Sequence, residues 1–196
     1  PVAGETLFTR EYAKVHREEL EQVYQLLADD WSRKVLQNVV EYKLSGEIRL
    51  LRACESNPRE AWENILKPSA EEHYMDLGAY TGDTIMEFIR YAGAWRRITA
   101  LEPDSETFAR LEKNTAALHD CILYRLGAYS RYARQPFAGG AGRGSHLAED
   151  GVMTELDSVD NILCGQPVSL INMDVEGMEA EAITGMAKTL RRYRPK

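Results

Sequence analysis

The stretch Glu71–Thr84, EEHYMDLGAYTGDT, decides the fold. An apolar run through Tyr74 and Met75 narrows to an acid, Asp76. Glycines follow at 78 and 82, and from Asp83 the apolar residues Ile85, Phe88 and Ile89 recur at helical spacing. This is a strand, a tight glycine-bearing loop and a helix, with the helix expected over 83–92.

Downstream the pattern repeats. RITALEP (97–103) reads as a second strand stopped by Pro103, and Asp104 is placed to cap a helix whose inner face carries Phe108, Leu111 and Leu118. CILYRLGAYS (121–130) reads as a third strand. Residues 131–155, which include FAGGAGRGSHLAEDG, read as a loop or loose hairpin, and TELDSVDNIL (154–163) as a short helix. PVSLINMDVEG (167–177) reads as a fourth strand with an acidic end, followed by one helix with Met178, Ala182, Met186 and Leu190 on a single face. Repeated strand–helix units imply an α/β fold: a Rossmann-like, mostly parallel sheet flanked by helices. Four strands make a thin sheet, so either further C-terminal strands beyond RYRPK or a sheet completed by another chain is expected.

Upstream, residues 10–66 carry only helical periodicity. Leu20, Val23, Tyr24 and Leu27 form one stripe, and Trp31, Val35, Val39 and Tyr42 another, with Gly46 as a stop. The expected organisation is an N-terminal helical cap over 1–68 and a core over 69–196. The cap or an exposed sheet edge is a candidate dimer surface.

The 196-residue chain is 44% hydrophobic and 28% charged, the balance of a globular protein. A net charge of -7 argues against a nucleic-acid backbone as partner. No run of 18 apolar residues is present to span a membrane. No signal pattern opens the chain, and its three cysteines are far apart, which fits free thiols in a reducing cytoplasm. No cysteine–histidine spacing resembles a zinc site, so no metal is expected.

In open α/β sheets, ligands bind beyond the carboxyl ends of the strands. Glu102 stands at the end of the second strand, where an acid accepts hydrogen bonds from ribose hydroxyls. A dinucleotide pyrophosphate calls for G-x-G-x-x-G. The spacing here is Gly78-x-x-x-Gly82, with Asp76 and Asp83 beside it. Such acids repel a pyrophosphate and suit a ligand with a cationic end, which points to S-adenosylmethionine.

DLGAYTGDT, ALEPD, LDSVD and INMDVEGMEAEAITGM together resemble the FkbM-type methyltransferases, within the class I S-adenosylmethionine-dependent superfamily. LLADDWSRKVLQNVVEYKLSGE resembles the helical region preceding the core in some members. The resemblance spans roughly residues 20–196 and implies methyl transfer to a hydroxyl of a sugar, polyketide or similar small molecule. It implies that Asp76, Gly78, Ala79, Tyr80 and Thr81 line the methionine end, above a helix begun by Gly82, Asp83 and Thr84. It places Glu102 on the ribose with Pro103 fixing the turn, Ala128 beside the adenine, and Asp174 and Glu176 facing the transferable methyl, with Gly177 allowing the turn.

Asp174 and Glu176 alternate along what reads as an extended segment, so one would meet cofactor or acceptor while the other braces the loop. A base near the acceptor hydroxyl would assist transfer. His146 is the next candidate base, with Arg143 and Ser145 as possible acceptor-orienting residues. Two other functions compete: a non-catalytic cofactor-binding or assembly module, and an NAD(P)-dependent oxidoreductase, which the glycine spacing disfavours.

Overall fold

The computed structural model describes residues 8–138, 146–147 and 151–196. The chain divides into two compact units between Glu60 and Ala61.

The first unit is helical: α1 (Arg10–Val15), α2 (Arg17–Leu26), α3 (Asp30–Ser45), α4 (Ile48–Arg52) and the short α5 (Pro58–Glu60). ADDWS breaks the pattern because Asp29 leaves the helix and its carboxylate accepts the Ser32 N–H at 2.8 Å, starting α3. Gly46 ends α3 in the left-handed conformation, where its N–H reaches Tyr42 O.

The second unit opens with a π-helical turn (Ala61–Leu66) whose Trp62 and Leu66 pack on the core of this same unit. Then come β1 (His73–Leu77), α6 (Asp83–Ala92), β2 (Arg97–Leu101), α7 (Ser105–Thr115) and β3 (Cys121–Tyr124). They are followed by β4 (Gly127–Ala128), β5 (Ala133–Ala138), β6 (His146–Leu147), β7 (Val152–Asp157) and α8 (Val159–Leu163). The last elements are β8 (Leu170–Met173), α9 (Glu179–Gly185) and α10 (Ala187–Tyr193).

The main sheet is parallel, ordered β3-β2-β1-β8. Its strands are short apolar runs because both faces are covered. Tyr74, Ile85, Phe88, Ile98 and Leu111 fill one side, and Met75, Leu77, Leu101, Val159 and Ala182 the other. At the outer edge of β8, the backbone of Lys196 bonds Ser169 O and Ile171 N.

The segment expected as a loop or loose hairpin contains β5 and β7, paired antiparallel from Ala133↔Leu156 to Phe137↔Val152, the second of those alternatives. Three expectations are corrected. CILYRLGAYS is two strands in two sheets, since β4 leaves the main sheet to pair with β7. TELDSVDNIL begins as strand: Thr154 and Leu156 are buried while Glu155 is exposed, a period of two, and helix starts only where Ser158 caps α8. The single last helix is two helices broken at Met186. Gly185 packs against the Tyr129 backbone there, where a Cβ would lie 1.9 Å from Tyr129 O. The apolar stripe survives the break, with Met178, Ala182 and Met186 all buried. Among the described residues, no helix is long and apolar enough to cross a membrane.

Candidate cofactor cleft

The carboxyl ends of β1, β2 and β8 open into one cleft, bounded on a further side by Leu126 and β4. The loop after β1 forms its floor. Gly78 and Ala79 both donate to Leu101 O, at 3.0 and 2.9 Å, which ties the loop to the end of β2. Gly78 stands at φ +83, and a Cβ there would lie 1.9 Å from the backbone oxygen of Asp174. Only glycine fits both the conformation and the approach. Gly82 stands at φ +89, heading α6 and facing the side chains of Leu111 and Thr115.

Two buried carboxylates organise the cleft. Glu102 is 7% exposed. One of its oxygens accepts the Tyr80 N–H at 2.9 Å and the other the Asp104 N–H at 2.9 Å. It therefore holds Tyr80 in the left-handed conformation (φ 48) and fixes the entry to α7. Burial pushes its pKa up to about 7 against the two backbone donors, which pull it down. Each oxygen keeps lone-pair capacity toward the cleft.

Asp76 is fully buried. It accepts from Thr84 Oγ1 at 2.5 Å, from Tyr74 Oη at 3.2 Å and from Asn172 Nδ2 at 2.9 Å. Burial raises its pKa against these three donors.

The structure brings Gly78, Tyr80, Asp83, Thr84, Glu102, Pro103, Ala128, Asp174 and Glu176 together on the cleft wall. Asp76, Ala79, Thr81 and Gly82 lie outside that lining. Asp76 sits behind Thr84 and Asn172, and Ala79 is in the core. Thr81 O accepts from Asn114 Nδ2 at 2.8 Å, a brace to α7. Asp174 and Glu176 are not on an extended strand: β8 ends at Met173, and the chain turns through Glu176 at φ 50 and Gly177 at φ 95. His146 is described as backbone only, paired with Ala138, while Arg143 and Ser145 lie outside the described residues.

The cleft also takes in Gly127 and Val175, within the strand ends 127–129 and 174–176 that the sequence marks; sequence reasoning missed Leu126, Asn172 and Met178. Asn172 had a readable signal: it is the polar residue in the apolar strand LINM, and a buried strand rarely carries an amide without a partner. Among the described residues, no lysine, arginine or histidine lines the cleft, and no group of acidic, histidine or cysteine side chains could hold a metal.

A parallel sheet in this order, with a glycine loop after its first strand and an acid after the second, is the Rossmann-like fold of methyltransferases. The sequence model of the Methyltransferase FkbM domain matches residues 76–196, more than half the chain, and the chain belongs to that family. Among solved structures, a Methyltransferase FkbM from Methylobacillus flagellatus KT superimposes with a TM-score of 0.77 at 20% identity, over 94% of this chain and 48% of that one. The chain thus spans about half the length of that structure. An rRNA methylase from Streptococcus thermophilus (TM-score 0.43, 12% identity, 70% of this chain and 66% of that one) is too distant to carry weight. The same holds for a DhpI–SAH complex (TM-score 0.26, 16% identity, 48% of this chain and 42% of that one). No curated protein matches the chain.

Proposed function

We propose that the cleft binds S-adenosylmethionine and that the protein transfers its methyl group to a hydroxyl oxygen of a small metabolite, such as a sugar or polyketide. The observation that carries this reading is Glu102: a buried carboxylate on the cleft wall, held rigid by two backbone N–H groups, with acceptor capacity left for a ribose diol. The acidic lining, free of basic side chains among the described residues, favours a ligand that carries positive charge. The Gly78 and Ala79 N–H groups both donate to Leu101 O, so they are not free for a pyrophosphate, which would need several such donors.

When bound, S-adenosylmethionine supplies an electrophilic methyl group. The β1 loop would hold its methionine end and Glu102 its ribose, while Asp174 and Glu176, beyond β8, would face the acceptor. Asp174 would take the proton of the acceptor hydroxyl. The acceptor is a small molecule rather than a nucleic acid, as the net charge of -7 favours, and the setting is the cytoplasm.

Calorimetric titration tests the reading. S-adenosylmethionine binds to the protein, NAD and NADP do not, and Glu102→Ala weakens the interaction about tenfold or more. Binding of a nicotinamide dinucleotide in place of S-adenosylmethionine would overturn the reading.

A further inference from the structure

Gly185 is the last residue of α9 and is buried. It does not stand at positive φ, so its backbone conformation does not call for glycine. Within a helix, alanine is the better residue. What excludes alanine here is space. A Cβ on Gly185 would lie 1.9 Å from Tyr129 O, 2.9 Å from Tyr129 C and 3.1 Å from Ser130 Cα. All three are main-chain atoms, which cannot rotate aside as a side chain can.

Tyr129 directly follows β4, whose Gly127 and Ala128 stand on the cleft wall. This strand has two residues and has left the main sheet. Among the described residues it pairs with β7 alone, through Gly127↔Leu156 and Ala128↔Asp157, and the Tyr129 N–H extends the pairing to Asp157 O at 2.9 Å. The remaining support comes from α9, at both of its ends. Met178, which precedes the helix, lines the cleft, and its Cε would lie 3.8 Å from a Cβ on Gly127. Gly185, at the other end and about 10 Å along the axis, seats the Tyr129 backbone.

A close-packed interior transmits strain rather than absorbing it. One methyl group added at 185 must move Tyr129, and Ala128 with it, or lift α9, and Met178 with it. Either shift alters the cleft from behind, through a residue that lines no part of it.

We propose that Gly185 is a positioning residue of the cofactor site: by lacking a Cβ it lets α9 close on the Tyr129 backbone, and so fixes where the β4 wall stands. The inference rests on the reading of the cleft as an S-adenosylmethionine site, in which Ala128 lies beside the adenine, and adds a residue outside the cleft that sets its width.

The test separates a seat for the wall from support of the fold. In Gly185→Ala, calorimetry should show S-adenosylhomocysteine and methylthioadenosine both weakened about tenfold or more, since both carry the nucleoside that β4 would meet. Thr184→Ala, at the exposed neighbour on the same helix, should leave both affinities within about twofold. Urea unfolding of Gly185→Ala supplies the contrast, because a protein that is only less stable still binds with wild-type affinity in its folded fraction. Wild-type affinity with a lowered urea midpoint would show that Gly185 serves the fold alone. Wild-type affinity with an unchanged midpoint would show that the contact gives way freely. Weakening confined to S-adenosylhomocysteine would put the effect at the amino-acid end, away from β4. All three outcomes overturn the inference and leave the cofactor reading intact. Should the variant fail to fold, hydrogen exchange on the wild type decides. S-adenosylhomocysteine should slow, by about fivefold or more, both the Tyr129 amide, bonded to Asp157 O, and the Met186 amide, bonded to Ile183 O. Exchange unchanged at either amide would overturn the inference. If the wild-type protein binds neither probe, the cofactor reading fails and this inference with it.

Discussion

Gly78 and Gly177 both stand at positive φ, each just past a strand that ends in the cleft. A Cβ on Gly78 would lie 1.9 Å from Asp174 O, whereas nothing lies within 4 Å of one on Gly177. The same contrast runs through their surroundings. After β1 the chain is fastened repeatedly: Gly78 and Ala79 to Leu101, Tyr80 to Glu102, Thr81 to Asn114. After β8, the Asp174 N–H still reaches Leu77 O at 2.9 Å, but Glu176 is exposed and left-handed, and the turn beyond is held by the Gly177 N–H on Glu179 at 3.1 Å and a longer bond from the Met178 N–H to Val175 O at 3.3 Å. On the proposed reading, the β1 side is the fixed cradle of the cofactor, and the β8 side leaves its exposed carboxylates room for the acceptor.

The largest expected effect breaks the seam between the two sides. Gly78→Ala should cost about 3 kcal/mol or more in denaturant unfolding, since left-handed strain adds to a backbone collision. A loss under about 1 kcal/mol would mean the two strand ends separate easily. Next, Asp174→Ala should lower turnover about a hundredfold while S-adenosylmethionine affinity stays within about twofold. A loss of binding in step with turnover would move Asp174 to the cradle side.

Glu102 gives a smaller, pH-dependent effect. Its pKa in the folded protein, about 7, lies above the ordinary 4.5. The native state therefore binds more protons than the unfolded state between these values, and stability falls as pH rises through that window. Asp76 shifts in the same direction, so Glu102→Gln should flatten only part of the decline, read by urea titration across about pH 5 to pH 8. Ribose hydroxyls donate to the ionised carboxylate, so cofactor affinity should rise over the same window in the wild type and not in Glu102→Gln. A wild-type affinity independent of pH would place the ribose away from Glu102. The smallest effect is Gly177→Ala, at about 1 kcal/mol of left-handed strain without a collision. A loss as large as that of Gly78→Ala would erase the distinction between cradle and turn.

The β1–α6–β2–α7 half of the core was legible because each buried parallel strand is an apolar run closed by an acid, glycine or proline, α6 follows the glycine at 82, and α7 starts at a visible cap, Asp104, which accepts the Thr107 N–H at 2.8 Å. The β4–β7 region was not. Its strand β4 has two residues, β5 contains Pro136 and Arg134, and both are held by pairing with the distant β7 rather than by their own pattern. The break at Met186 was hidden because its cause, the Tyr129 backbone against Gly185, is tertiary. In the cleft, the residues at strand ends were readable one by one. That Asp76 lies behind the wall, and that Asn172 takes a place on it, depends on the cross-strand register Asp76↔Asn172, which a single sequence does not display.

The most direct test of the account is a crystal structure of the protein with S-adenosylhomocysteine. The account predicts the ribose hydroxyls on Glu102 and the sulfur over the loop after β1. A ligand bound away from Glu102, or bound with its amino-acid end pointing out of the cleft, would contradict it.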